Sequence, residues 1–187
     1  MTSTPLSPPS GYIEVTIMYL EMWTRPGLPP VAPPRPEVTV MRAQRPSLSF
    51  YRYLYNQVGG PWLWYERRLM GDDRLRVIVH DPAVEVHVLY AAGVPAGYAE
   101  LDCRAVGEIE LAYFGLVPEF IGQGLGSYFL AWAINRAWDL QPRRLWVHTC
   151  SLDHVRAQGT YKSAGFSEYA RETVHIADPR SLLKTRG

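Results

Sequence analysis

The sequence predicts a mixed α/β fold in a single domain, and three observations lead to this prediction. Short β-branched segments separated by turns run through the middle of the chain, which is typical of antiparallel strands. A glycine-rich turn from Gly122 to Gly126 then joins a strand to an amphipathic helix. From that helix onward, strand and helix patterns alternate, as they do where a sheet continues with parallel strands.

The composition indicates a globular domain with a substantial core. The chain has 187 residues, of which 47% are hydrophobic and 20% are charged. A net charge of +1 creates no strong field toward nucleic acid or an anionic membrane, so we expect neither as a partner. No apolar run approaches the roughly 18 residues that a membrane helix needs, and the N-terminus does not resemble a signal peptide.

The two cysteines, Cys103 and Cys150, are too few and too far apart for a disulfide framework. They indicate a reducing compartment, and we expect a cytoplasmic protein. No cysteine–histidine cluster has the spacing of a zinc site, so we expect no metal.

The first half of the chain is expected to be mainly helical. Residues 1–10 are rich in Ser, Thr and Pro and predict a disordered tail, with one domain over residues 11–187. A strand over 12–22, a proline-rich loop over 26–36 and a short strand over 38–41 follow. Ser47 is a predicted N-cap for a helix ending near residue 58, where Gly59, Gly60 and Pro61 break it. Further helices are expected over 62–70 and from Asp72 or Asp73 to about residue 80.

The second half predicts the order β-β-β-α-β-α-β. A turn at Ala92 and Gly93 joins two strands in a hairpin, and Gly165 suits the C-terminal cap of the last helix. The strands are expected over residues 84–91, 94–103, 108–117, 144–149 and 166–176, and the helices over 124–140 and 153–164.

The glycine turn is a candidate phosphate site. Glycine allows positive φ and close backbone approach, and the first helical turn has amides without intrahelical partners at the positive end of the helix dipole. Ser127 adds a hydroxyl beside these amides. A P-loop is excluded because no lysine occurs in the turn, and a dinucleotide site is disfavoured because three antiparallel strands precede it. A tight turn without any ligand remains the alternative.

Four elements in the correct order resemble the GNAT superfamily of N-acetyltransferases. They are a strand ending at Pro118, the glycine turn, an Asp153-His-Val-Arg-Ala157 segment, and a Tyr161-to-Phe166 segment. The resemblance covers about residues 84–176 and implies a twisted mixed sheet, splayed near its middle, with CoA in the opening. It also implies acetyl-CoA as cosubstrate and an amine as acceptor. Many relatives form homodimers.

The resemblance assigns cofactor contacts to specific positions. The turn residues Gly122, Gln123, Gly124, Leu125 and Gly126, with Ser127, match the pyrophosphate motif, although Ile121 replaces the family's Arg or Gln. The backbone around Leu116 and Val117 is expected to pair with the pantetheine arm like an added strand. His154 stands where the family usually has Asn, and Gly159 is unusual within a helix.

Two residues are candidate catalytic groups. Tyr161 matches the family tyrosine that protonates the departing thiolate, and its weakly acidic phenol suits that role. Glu110 matches the glutamate that deprotonates the amine in the histone-acetylating branch. Strand alternation puts Glu108 on the same face, where a carboxylate pair would raise one pKa. Whether Glu110, Glu108 or a water is the base stays open, as does a packing role for Tyr161.

Other chemistry-bearing residues have weaker signals. The aromatic residues between Phe50 and Tyr65 are expected to be mostly core, with an acceptor wall as the alternative. The pairs Arg67-Arg68 and Arg143-Arg144 are interpreted as solvated surface charge. Most histidines, including His148, show no site spacing and are interpreted as structural.

These residues together predict an enzyme that transfers an acetyl group from acetyl-CoA to a primary amine by direct transfer, without a cysteine-bound intermediate. The alternative is a catalytically inactive acyl-CoA sensor on the same fold, which Ile121, His154 and Gly159 favour. An acidic acceptor cleft would favour a polyamine or an antibiotic as acceptor.

Overall fold

The computed structural model describes residues 9–27 and 32–184. The predicted N-terminal tail therefore lies almost wholly outside the described residues, as does part of the predicted proline-rich loop. The described chain forms one seven-stranded sheet with helices on its faces, which confirms the mixed α/β prediction. The strands are β1 (Tyr12–Met22), β2 (Val38–Arg42), β3 (Val84–Ala91), β4 (Val94–Asp102), β5 (Glu108–Leu116), β6 (Arg144–Cys150) and β7 (Ser167–Ala177). The helices are α1 (Leu48–Gly59), α2 (Glu66–Leu69), α3 (Asp72–Val79), α4 (Leu125–Asp139), α5 (Ala157–Ser163) and α6 (Pro179–Lys184).

The strand order in the sheet is β2-β3-β4-β5-β6-β1-β7. Every neighbouring pair is antiparallel except β5 and β6, which are parallel. The first strand of the chain thus lies between the last two, with Tyr19 opposite His148 on one side and Ala170 on the other. The sequence analysis predicted β1 as a strand but not this position.

Local signals at the turns and caps are confirmed. Ala92 and Gly93 have φ of +49° and +82°, the left-handed conformation that a two-residue hairpin requires. The hydroxyl of Ser47 accepts a hydrogen bond from the amide of Phe50 at 3.3 Å, which caps α1. Gly165 follows α5 with a φ of +102°.

Two helices are shorter than predicted. The predicted helix over 62–70 is reduced to α2, because Leu63 adopts a φ of +57° after a 3-10 turn. The helix predicted to begin at Asp153 begins at Ala157. The carboxylate of Asp153 instead accepts hydrogen bonds from Thr149 Oγ1 and the amide of Cys150, both at 2.8 Å, which holds this segment in a turn.

The two faces of the sheet have separate cores. On one face α4 packs its buried Phe129, Leu130 and Ile134 against Leu20, Leu111 and Val147 of the strands. On the other face α1 and α3 cover β3 and β4, with Tyr51, Leu54 and Leu75 packed against Val88 and Tyr98. No described helix is both long enough and apolar enough to cross a membrane.

Candidate active site

A cavity opens where β5 and β6 separate. The two strands pair only from Glu108 opposite Arg144 to Glu110 opposite Trp146. Beyond that point the second half of β5 and the end of β6 diverge and become opposite walls of a cavity of about 480 Å³. The splay that the resemblance implied is therefore present, with its vertex at Glu110.

The glycine turn closes one end of this cavity. Gly122 and Gly124 have φ of +84° and +77°, and an added Cβ at either position would meet no atom within 4 Å. Gly126 and Ser127 line the same wall. The backbone of the turn therefore faces open space, and its positive φ values require glycine.

The turn leads directly into α4, which begins at Leu125. The first amides of a helix have no intrahelical acceptor and lie at the positive end of the dipole. Since these groups border an open cavity, they suit the diphosphate of a CoA ligand. Leu125 contributes only backbone, because its side chain is fully buried in the core. The side-chain Nε2 of Gln123 donates a hydrogen bond to the backbone carbonyl of Glu119 at 2.8 Å.

The expectation for the pantetheine arm is corrected at one residue. The amide of Val117 donates to the carbonyl of Ala96 at 2.9 Å, and its buried side chain belongs to the core under α1 and α3. It is therefore committed to the sheet rather than to a ligand. Leu116 lines the cavity, and because backbone groups alternate along a strand, its own amide and carbonyl point away from β4 toward the opening. Leu116 remains the candidate.

Tyr161 forms part of the cavity wall. It is only 7% exposed and packs edge-on against Phe166, with ring centroids 5.9 Å apart. Burial, followed by the negative charge of Asp153, raises the pKa of its phenol. The phenol therefore stays protonated near neutral pH and is available as a proton donor.

The predicted carboxylate pair between Glu108 and Glu110 does not form. Both side chains lie on one face, but each has its own partner. Glu108 accepts from Arg144 Nη1 at 3.1 Å, whereas Glu110 Oε1 lies 3.0 Å from His148 Nδ1. The two carboxylates are therefore held by different partners, Arg144 and His148, and do not share a proton.

His154 lies on the cavity wall as the resemblance implied. Its ring contacts Trp62 edge-on, with centroids 5.1 Å apart. Its Nδ1 accepts the amide hydrogen of Arg156 at 3.1 Å. That bond fixes the ring beside the start of α5 and leaves Nε2 as the atom able to meet a ligand.

The aromatic segment divides between core and cavity. Tyr51 and Tyr55 lie on α1 and are buried in the core, as expected for most of these rings. Trp62, Trp64 and Tyr65 instead line the cavity, and for these three rings the acceptor wall stays a prediction.

Two carboxylates on the cavity wall were missed by the sequence analysis. Glu66 Oε2 accepts from the hydroxyl of Tyr113 at 3.0 Å, and Asp153 Oδ1 accepts from Trp64 Nε1 at 3.1 Å. Neither forms an ion pair with Lys or Arg within the part of the chain that the structure describes. The cavity wall therefore carries two carboxylates and aromatic rings, together with one guanidinium group, that of Arg156.

Two other interpretations are wrong. Arg67 is not surface charge: it is 7% exposed and donates to the fully buried Glu100 at 2.7 Å. His148, which was interpreted as structural, lines the cavity. The sequence analysis could not see this because it depends on how β5 and β6 pair. Glu110 lies opposite Trp146, and His148 is on the same face as Trp146, two residues further along β6.

The comparisons with known proteins agree with this geometry. A family model described as the Acetyltransferase (GNAT) family matches residues 47–166, well over half of the chain. The protein therefore belongs to the GNAT family of acetyltransferases. A search of curated proteins finds no match.

Solved structures share the fold at low identity. A GCN5-related N-acetyltransferase from Sphaerobacter thermophilus superimposes with a TM-score of 0.63 at 19% identity, and the match covers 88% of this chain and 52% of the Sphaerobacter chain. A GCN5-related N-acetyltransferase from Kribbella flavida gives 0.59 at 23%, covering 90% and 60%. The SpeG spermidine N-acetyltransferase from Vibrio cholerae gives 0.55 at 18%, covering 81% and 100%. The chain thus spans only about half to three fifths of the first two structures.

Proposed function

We propose that this protein transfers an acetyl group from acetyl-CoA directly to a primary amine of a small molecule or a protein. The single observation that carries the proposal is the cavity between the diverging strands, with the glycine turn at one end and Tyr161 on its wall. The turn supplies amides for the diphosphate, and the unpaired edge of β5 at Leu116 suits the amide groups of the pantetheine arm.

The reaction needs a neutral amine nitrogen, which attacks the thioester carbonyl. A C–N bond forms, the tetrahedral intermediate collapses with cleavage of the C–S bond, and the sulfur takes a proton. Tyr161 is our candidate to supply that proton, because its phenol borders the cavity and is protonated near neutral pH.

The acceptor that this cavity favours is a cation. Glu66 and Asp153 provide negative charge, while Trp62 and Trp64 provide aromatic surface. An alkylammonium ion is attracted both by carboxylates and by aromatic faces. A cationic small-molecule amine therefore fits better than a neutral or acidic one.

The free cysteines Cys103 and Cys150 support a reducing, cytoplasmic setting for the reaction.

CoA binding is tested with two glycine variants that carry the same backbone strain. Gly124→Ala and Gly93→Ala both replace a glycine of positive φ, +77° and +82°, with open space around the new methyl group. By calorimetry, Gly124→Ala should weaken CoA binding at least about tenfold, because its methyl group projects into the space that the diphosphate needs to approach the amides, and a charge-assisted hydrogen bond contributes roughly 1.5–3 kcal/mol. Gly93→Ala, in the β3–β4 hairpin, should bind CoA like the parent. Equal affinities in the two variants would reject the turn as the diphosphate site.

Activity is tested by release of free CoA thiol from acetyl-CoA with a panel of mono-, di- and polyamines. Tyr161→Phe should lower kcat by about 100-fold, the usual range for one proton-transfer group, while CoA affinity stays the same. Tyr53→Phe serves as control because Tyr53 is exposed and stacks on Phe50 outside the cavity. CoA binding without turnover of any amine would support the sensor alternative instead.

A further inference from the structure

We propose that His148 is the general base that takes the proton of the acceptor amine, and that Glu110 is a positioning residue that holds its imidazole. This inference rests on the proposed function and assigns a role within the same site. It replaces the interpretation in which Glu110 itself meets the amine.

The first argument is access to the cavity. His148 is on the cavity wall, whereas Glu110 lies at the vertex where β5 and β6 are still paired and does not contribute to the lining among the described residues. The His148 side chain is 42% exposed and that of Glu110 is 21% exposed. An amine that enters the cavity therefore meets the imidazole before it meets the carboxylate.

The second argument is the orientation of the ring. Nδ1 lies 3.0 Å from Glu110 Oε1, so an ionised Glu110 requires a proton on Nδ1. The neutral ring then carries its lone pair on Nε2, on the other edge. Tyr19 packs against the ring with centroids 6.2 Å apart, and so does Trp146. These contacts restrict the ring to one orientation, as a base needs.

The charges around His148 come from several elements and are almost all acidic. The hydrogen bond with Glu110 raises its pKa above the ordinary 6.5, and the charges of Glu66 and Asp153 add to this. Tyr19 and Cys150 also face it but stay neutral, since their pKa values are raised to about 12 and about 11. The imidazole is therefore a stronger base than usual, but it is neutral only on the alkaline side of its raised pKa.

The proton balance is complete with the groups present. An ammonium acceptor first releases one proton to solvent. The neutral nitrogen then attacks and passes its second proton to His148 Nε2 as the C–N bond forms, and Tyr161 gives a proton to sulfur as the C–S bond breaks. Each turnover leaves an imidazolium and a phenolate, and exchange with solvent restores both. No further reactant is needed.

The test is the pH dependence of kcat/KM for the parent, His148→Gln and Glu110→Gln, with His175→Gln as matched control. His175 is also a histidine beside a glutamate, Glu14 at 3.7 Å, but it is outside the cavity. The parent and the control should show an acidic limb with a pKa above 6.5. His148→Gln should lose this limb and about 100-fold in kcat. Glu110→Gln, whose amide still accepts from Nδ1, should keep the limb but shift it down by about one pH unit.

Two results would overturn the proposal. One is a His148→Gln variant that retains the limb and the kcat of the control. The other is a Glu110→Gln variant that loses the limb while His148→Gln keeps it, which would make Glu110 the base. An NMR titration of His148 provides a reading independent of turnover: its pKa should fall in Glu110→Gln and stay unchanged in His175→Gln. A parent protein without turnover would instead reject the proposed function, so the two failures are distinguishable.

Discussion

The two halves of the sheet differ in how far apart their paired strands lie along the sequence. In the half formed by β2 to β5, the strands β3, β4 and β5 follow each other in sequence and pair with their immediate successors. In the half formed by β6, β1 and β7, the central strand comes from the other end of the chain, with Ile17 opposite both Cys150 and Glu172. The first half can form from local hairpins, whereas the second requires the chain termini to meet.

The halves also differ in how they are covered. The helices α1 and α3 cover β3 and β4 and bury the ion pair of Arg67 and Glu100. On the same face of the other half, Tyr19 and Trp146 are only partly buried and His148 is exposed. We call β2 to β5, which α1 and α3 cover, the closed half, and β6, β1 and β7 the open half. The cavity lies at the boundary between them, where the closed half provides rigid walls and the open half provides access. Substitutions that disturb one half or the other test this division.

The largest effect is expected in the closed half. Arg67→Met leaves the fully buried Glu100 without its cation, and removal of one partner of a buried pair typically costs about 3–5 kcal/mol of unfolding free energy. Urea unfolding near neutral pH measures this loss. Arg76→Met is the control, because its ion pair with Asp73 is exposed, and it should cause no measurable change. A loss as large in the control would mean that burial does not distinguish the two pairs.

The same variant should show a pH dependence of defined sign. Burial raises the pKa of Glu100 above its ordinary 4.5, and loss of Arg67 raises it further. A carboxyl group whose folded pKa is raised stabilises the fold at low pH, and this contribution is lost as pH rises above the unfolded value. The deficit of Arg67→Met relative to the parent should therefore shrink as pH falls from about 7 toward 5. A deficit that grows on acidification would contradict this.

Substitutions at two equally buried leucines test which half of the sheet folds first. Leu20 in β1 and Leu101 in β4 are both 0% exposed and belong to the same core. Either change to Ala should cost about 3 kcal/mol. In stopped-flow kinetics Leu101→Ala should mainly slow folding, whereas Leu20→Ala should mainly accelerate unfolding, because β1 docks late. Reversed behaviour would show that the long-range half forms first.

The smallest effect is expected at a contact that joins the halves. Trp64, from the segment before α2, donates to Asp153, which follows β6, at 3.1 Å. Trp64→Phe removes this bond and part of a ring, and should lower the unfolding free energy by about 1–2 kcal/mol. Trp23→Phe, at a residue 60% exposed in the open half, should change it little. Thermal denaturation distinguishes the two.

Much of the site could be predicted because its signals are local. The glycine turn and the helix that follows it lie on one short stretch with a recognisable pattern, and Tyr161 was assigned from the segment that resembles the family. Glu66 and His148 could not be found in the same way. Glu66 lies on α2, a short helix that follows an irregular turn, and His148 lies on the strand that pairs with the strand of Glu110.

By itself the sequence determined the element types, the hairpin at Gly93, the caps and the glycine turn at the start of α4, since each depends on residues within a few positions of one another. Tertiary structure alone decided that β1 lies between β6 and β7, that Val117 is committed to the sheet, that Arg67 is buried, and that Glu110 lies beside His148. These features depend on strand register and on packing between distant segments. A one-residue change in register moves every side chain of a strand to the other face, and no local pattern encodes that choice.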